Sequence, residues 1–142
     1  LAEQILIIHC AEGGKKALAR MSEEGCRLPP DFKTFELPCT GRVNEVLLME
    51  SLQNGVKSVV VLGCRKDNCR YLDGNLKAEK KVLRVKKLLE DAGIRDRSVV
   101  MLFTAPDEGR KLHASLLAHA SLLAHASLLA HASLLGMREA ST

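Results

Sequence analysis

Val59-Val60-Val61-Leu62-Gly63-Cys64 is the stretch that decides the fold. It is β-branched and aliphatic, too short for a buried helix, and ended by a glycine. A run that is apolar on both sides of the pleat belongs to a strand covered on both faces, the habit of parallel sheets. Ile5–Ile8, ending in His9-Cys10, and Val99–Phe103 have the same character. A fourth run, Phe32–Leu37, alternates loosely, carries charge and ends in Pro38-Cys39. That pattern suits a sheet edge.

Helical patterns separate these runs. Lys15–Glu24 follows the break at Glu12-Gly13-Gly14. Asn44–Gln53 places Val46, Leu47, Met49 and Leu52 at apolar positions and stops at Gly55. Leu76–Ala92 is a long amphipathic helix, with Leu76, Val82, Val85 and Leu89 apolar, closed by Gly93. The tandem Pro29-Pro30 makes Gly25–Asp31 a loop, because proline forbids helix there. The order is β-α-β-α-β-α-β followed by a helix, an α/β fold with helices on both faces of a parallel sheet. With the edge-like second strand outermost, the strand order is 2-1-3-4, the flavodoxin-like arrangement.

Composition bounds the function. The chain has 142 residues, 46% hydrophobic and 27% charged, values ordinary for one folded domain and unlike a disordered chain. Three Phe, one Tyr and no Trp argue against recognition by stacked rings, as in single-strand nucleic-acid binders. The net charge is +4, and residues 76–97 alone carry eight bases against four acids, the same surplus. The basicity is therefore one local helix face. Such a face is ordinarily solvated surface. Its functional alternative is docking an acidic redox partner, and nucleic acid is not an expected partner. With no secretory signal visible, the expected location is cytoplasmic.

From His113 the hexapeptide His-Ala-Ser-Leu-Leu-Ala repeats, the fourth copy ending at Gly136. The expected division is a folded domain over 1–112 and a repeat helix with a short tail over 113–142. On a helix each copy advances ~240°, so successive histidines turn around three faces and make no metal ladder. The stretch between Lys111 and Arg138 holds no charge, yet four His and four Ser make it a poor membrane span. The plain reading is an extended C-terminal helix, apolar on every side, that needs a covering surface or self-association.

The cysteines carry the chemistry. In a parallel sheet the C-terminal strand ends share one rim, where ligands bind near the switch in strand order. Cys10, Cys39 and Cys64 end the first, second and third strands, and neighbouring strands lie ~4.8 Å apart. Cys69 follows in the loop after the third strand and can fold over the same rim. Cys26 precedes the second strand, at the opposite rim. Four gathered thiols hold an iron–sulfur cluster, hold a structural Zn²⁺, or form redox disulfides. Zinc sites usually use short Cys-x₂₋₄-Cys knuckles, whereas a [2Fe–2S] cluster suits scattered single ligands plus the Cys64/Cys69 pair. Such a cluster carries a formal charge of about −2, which Arg42, Arg65, Lys66 and Arg70 flank. For each cysteine taken alone, the competing reading is a small buried hydrophobe.

Pro38-Cys39-Thr40-Gly41-Arg42-Val43, then Gly63-Cys64, Cys69 and Gly74-Asn75, resemble the delta (iron–sulfur) subunit family of methyl-viologen-reducing hydrogenase. The resemblance runs from about Glu3 to Leu112 and leaves out the hexapeptide tail. It implies a [2Fe–2S] cluster held by Cys10, Cys39, Cys64 and Cys69. It also implies electron relay between a hydrogenase or other donor and the flavin-containing subunit of a heterodisulfide reductase-like complex. The subunit itself is then non-catalytic. Many relatives carry a second cysteine three residues after the first, where this chain has Gly13.

Three further features have two readings each. Gly13-Gly14 opens a helix at the rim, so it is a tight turn or an anion site. His9 is core packing or a Rieske-like ligand. Asn75 is the expected cap of the long helix or, by the resemblance, shapes the cluster loop together with Gly74. The rival function is a non-redox docking module with zinc or unligated thiols at the rim. A second rival is a thiol–disulfide enzyme using Cys64 and Cys69.

Overall fold

A computed structural model describes residues 4–64 and 73–140, with side-chain surroundings described as far as residue 124. Its strands are β1 (Gln4–Cys10), β2 (Phe32–Leu37), β3 (Val56–Cys64) and β4 (Ser98–Thr104). Its helices are α1 (Gly13–Glu23), α2 (Glu45–Gln53), α3 (Gly74–Asp91) and α4 (Gly109–Ala140). The sheet has order β2-β1-β3-β4, and every neighbouring pair is parallel. This is the α/β, flavodoxin-like arrangement the strand pattern implies.

Val59, Val60, Val61 and Leu62 are all fully buried because alternate residues feed two separate cores. Val59 and Val61 pack with Ile8, with Leu48 and Leu52 of α2, and with Ala78, Val82, Val85 and Leu89 of α3. Val60 and Leu62 pack with Ile5 and Ile7, with Ala17 and Met21 of α1, and with Leu112 and Leu116 of α4. Burying a side chain of this size contributes roughly 1.5–3 kcal/mol, so the central strand holds both layers together. At the edge, Phe32 is buried but Phe35 is 47% exposed. Strand β4 is also an edge, yet its apolar run is covered by α3 and by Leu112 and Leu116 of α4.

Three helices end in one way. Gly25, Gly55 and Gly93 follow α1, α2 and α3 with φ of +77°, +97° and +73°, a left-handed turn that glycine adopts without strain. After α1, Gly25 N–H bonds Ser22 C=O and Cys26 N–H bonds Met21 C=O, both at 3.0 Å. After α3, Gly93 N–H bonds Glu90 C=O and Ile94 N–H bonds Leu89 C=O. Both are Schellman closures, which satisfy the last helical carbonyls.

The helices begin less uniformly. Asn44 caps α2, its Oδ1 accepting from Leu47 N–H at 2.8 Å. Asn75, the expected cap of the long helix, sits one residue inside it. Asp73 occupies the capping position and makes no side-chain cap bond.

The basic stripe of α3 is partly structural. Lys81 Nζ donates to Gly41 C=O at 2.9 Å, and Arg84 pairs with Glu45 at 3.1 Å. Beyond α3, Arg97 donates to both Leu52 and Val56 carbonyls at 2.9 Å. These cations tie α3 and the approach to β4 onto α2 and the turns beside it.

Helix α4 runs unbroken through the boundary at 112/113. Its first two repeat copies are anchored by histidines. His113 Nε2 lies 3.1 Å from Arg27 C=O, and His119 Nε2 lies 2.8 Å from Ser58 Oγ, itself 2.8 Å from Ser98 Oγ. Among the described residues no helix is long and apolar enough to cross a membrane.

Candidate metal centre at the strand ends

Cys10 closes β1 and Cys64 closes β3. The last registered pair of these strands is His9 with Leu62, so Cys10 stands beside Gly63 and Cys64 lies one residue beyond. Their side chains converge, with Sγ atoms 3.5 Å apart. Both residues are buried, 4% and 6% exposed. Residues 54 positions apart in the sequence meet because parallel pairing brings both strands out at the same rim.

The start of α1 is pressed against this pair. Gly14 N–H donates to Cys10 Sγ at 3.1 Å. A Cβ at Gly13 would stand 2.9 Å from Cys64 Sγ. A Cβ at Gly14 would stand 3.1 Å from Leu62 C=O and from His9 Cβ. Two glycines are therefore needed so that the helix N-terminus can abut the two sulfurs. The tight turn and the anion-site readings of Gly13-Gly14 both missed this close approach.

Cys39 sits at the same rim by a different device. It precedes a single 3-10 turn, Thr40–Arg42, and its Sγ accepts from Gly41 N–H at 3.4 Å. Arg42 N–H bonds Cys39 C=O, and Val43 N–H bonds Thr40 C=O. The turn touches α3 backbone to backbone, since a Cβ on Gly41 would lie 2.9 Å from Gly74 Cα. It also abuts β3, since a Cβ on Gly63 would lie 3.3 Å from Thr40 Oγ1. A cleft of about 210 Å³ opens there, lined by Pro38, Cys39, Gly41, Arg42, Asp73, Gly74 and Lys77. Its cations, Arg42 and Lys77, face the side of the rim where Cys39 lies.

Asn75 joins the parts. Fully buried, its Nδ2 donates to Cys64 C=O at 2.9 Å and its Oδ1 accepts from Leu76 N–H at 2.9 Å. The end of β3 is thereby tied to the start of α3. A capping role explains only half of this bonding.

Of the expected ligands, Cys10 and Cys64 are in contact, and Cys39 stands at the same rim bonded within its own turn. Cys69 lies outside the described residues, as do Arg65, Lys66 and Arg70. Cys26 is at the opposite rim, where it completes the closure of α1. His9 Nδ1 lies 3.1 Å from the Cys10 carbonyl, a backbone contact that orients its ring. Among the described residues no three His, Cys, Asp or Glu side chains gather as a metal site. The sulfur pair nevertheless fits one metal ion. Two thiolates on a tetrahedral metal at about 2.3 Å lie about 3.8 Å apart, close to the 3.5 Å found.

Residues 5–122 match the family model for methyl-viologen-reducing hydrogenase, delta subunit. The chain belongs to this family. The delta-subunit match begins inside β1, takes in the other three strands and runs to residue 122, past the expected end at Leu112 and into the hexapeptide repeats. The chain is 34% identical over 115 residues to the vhu iron-sulfur subunit of the F420-non-reducing hydrogenase of Methanopyrus kandleri, covering 80% of this chain and 87% of that one. It is 32% identical over 107 residues to the protein of the same name from Methanocaldococcus jannaschii, covering 75% and 80%. It is also 31% identical over 85 residues to one subunit of the ferredoxin/F420H2-dependent CoB-CoM heterodisulfide reductase of Methanosarcina acetivorans. That match covers 60% of this chain and 11% of the longer protein. Sequence similar to this chain therefore occurs both in small hydrogenase subunits and in part of a much longer reductase subunit.

Proposed function

We propose that this chain is an electron-transfer subunit carrying one [2Fe–2S] cluster at the C-terminal rim of its sheet, held by Cys10, Cys39, Cys64 and Cys69. The observation that carries the reading is the buried sulfur pair, Cys10 Sγ to Cys64 Sγ at 3.5 Å, in a chain of the hydrogenase delta-subunit family. When bound, the cluster supplies one-electron storage at this rim. The residues around it do the rest. Gly13 leaves room for the Cys64 sulfur, and the Gly14 amide directs a donor at Cys10, an interaction that stabilises negative charge on sulfur. Arg42 and Lys77 place positive charge at the cleft beside Cys39.

The partners fit the relatives. A hydrogenase or other redox subunit on one side and a flavin-containing heterodisulfide reductase-like subunit on the other would make the chain a relay. Catalysis would then belong to the assembly. Iron and inorganic sulfide counted on oxygen-free protein, with electron paramagnetic resonance after reduction, test the reading. Two irons and two sulfides per chain with a reducible signal support it. A colourless protein with stoichiometric zinc favours a docking module instead.

A further inference from the structure

We propose that Cys10 and Cys64 form a reversible disulfide in the cluster-free chain, which closes the rim to metal until a thiol reductant reopens it. The bond rests on geometry alone, and its consequence for loading rests on the cluster reading above. A disulfide needs its sulfurs at about 2.05 Å, so a sulfur pair at 3.5 Å closes by about 1.5 Å of side-chain movement. The backbone already fits. Adjacent strands spaced about 4.8 Å with a one-residue offset of about 3.3 Å give a diagonal Cα separation of about 5.8 Å. Disulfides span about 4.4–6.8 Å between Cα atoms.

Among the described cysteines the surroundings favour this pair over those with Cys26 or Cys39. No side chain at Gly13 stands between α1 and Cys64, and Gly14 N–H holds the Cys10 sulfur. Cys26 lies at the other end of the sheet, and the Cys39 sulfur is bonded to its own turn.

The oxidant is a low-molecular-weight disulfide, RS–SR. One cysteine sulfur gives up its proton and attacks RS–SR, forming a mixed disulfide and releasing one RSH. The second cysteine sulfur then attacks the mixed disulfide. The Cys10–Cys64 bond forms and the second RSH leaves. Both protons end on the released thiols, and the two electrons lost by the cysteine sulfurs reduce RS–SR. Because metal ligation requires thiolates, the oxidised pair cannot hold a cluster.

The test uses the cluster-free full chain treated with oxidised glutathione, alkylated and digested with trypsin. The five cysteines fall in separate peptides, 1–15, 21–27, 34–42, 58–65 and 67–70. The expected product is 1–15 linked to 58–65, lost in Cys10→Ser and kept in Cys26→Ser. A dominant link of 58–65 to 67–70, or no link at all, overturns the proposal. Oxidised chain given cobalt(II) without reductant or sulfide should bind roughly tenfold less metal than reduced chain, read from thiolate-to-cobalt absorption, and reduction followed by desalting should restore it. Equal loading of the two forms overturns the gating. If the link forms but reduced chain never assembles a cluster, the cluster reading fails and the disulfide stands. If reduced chain assembles a cluster and the link is absent, the disulfide fails and the cluster reading stands.

Discussion

The side-chain amide of Asn75 donates a 2.9 Å hydrogen bond to the backbone carbonyl of Cys64. Asn75 is fully buried, so nothing in the solvent can replace this donor. Asn75→Asp keeps the oxygen that accepts from Leu76 N–H but turns an acceptor toward the Cys64 carbonyl. The expected loss of stability is about 1–3 kcal/mol, read from urea unfolding of cluster-free protein. Unchanged unfolding would mean that this bond is not formed in solution.

Gly13→Ala should move the Cys64 sulfur or push α1 off the rim, since the new Cβ would meet that sulfur at 2.9 Å. Overpacking of this kind costs about 1–3 kcal/mol. Iron content per chain should fall along with the melting temperature. Gly13→Ala with full iron content and wild-type melting would show that the approach is looser than 2.9 Å.

The four proposed ligands separate from the fifth cysteine. Cys10→Ser, Cys39→Ser, Cys64→Ser and Cys69→Ser should each lower the iron and sulfide bound per chain, while Cys26→Ser should not. Cys26 closes α1 through its backbone N–H, a bond that serine keeps. If Cys26→Ser bleaches the protein and Cys10→Ser leaves it coloured, the rim assignment is wrong.

His119 gives the fold a pH dependence. Burial against the sheet, helped by the positive charge of Lys86, holds its imidazole below the ordinary range. The unfolded chain therefore takes up a proton before the folded chain does. Stability is full above about pH 6.5, the unfolded value, and falls as the pH drops toward the lowered folded value. His119→Gln, which keeps a side-chain partner for Ser58, should flatten urea midpoints measured between about pH 7 and pH 5. An unchanged slope would locate the titration elsewhere.

The hydrogen-bonding around the site was the part least visible in the chain of residues. Asn75 and Gly74 stand at a helix start, where a cap is the natural reading, and only the proximity of β3 turns Asn75 toward Cys64. The signal for Gly13-Gly14 was present as two small residues after a strand-end cysteine. What those residues must not touch came from another strand. The serine pair Ser58 and Ser98 gave no hint of His119, because each lies at a strand beginning far from the repeat.

Local pattern alone determined the elements, the strand order and that Cys10, Cys39 and Cys64 come out at one rim. Alternation and apolar runs are properties of neighbours in sequence, and parallel connection then leaves few topologies. Tertiary structure decided that Cys10 and Cys64 touch, that Cys39 is engaged by its own turn, and that two glycines let a helix reach the sulfurs. Those facts depend on register and on distances of a few ångströms between segments whose order in the sequence carries no such information.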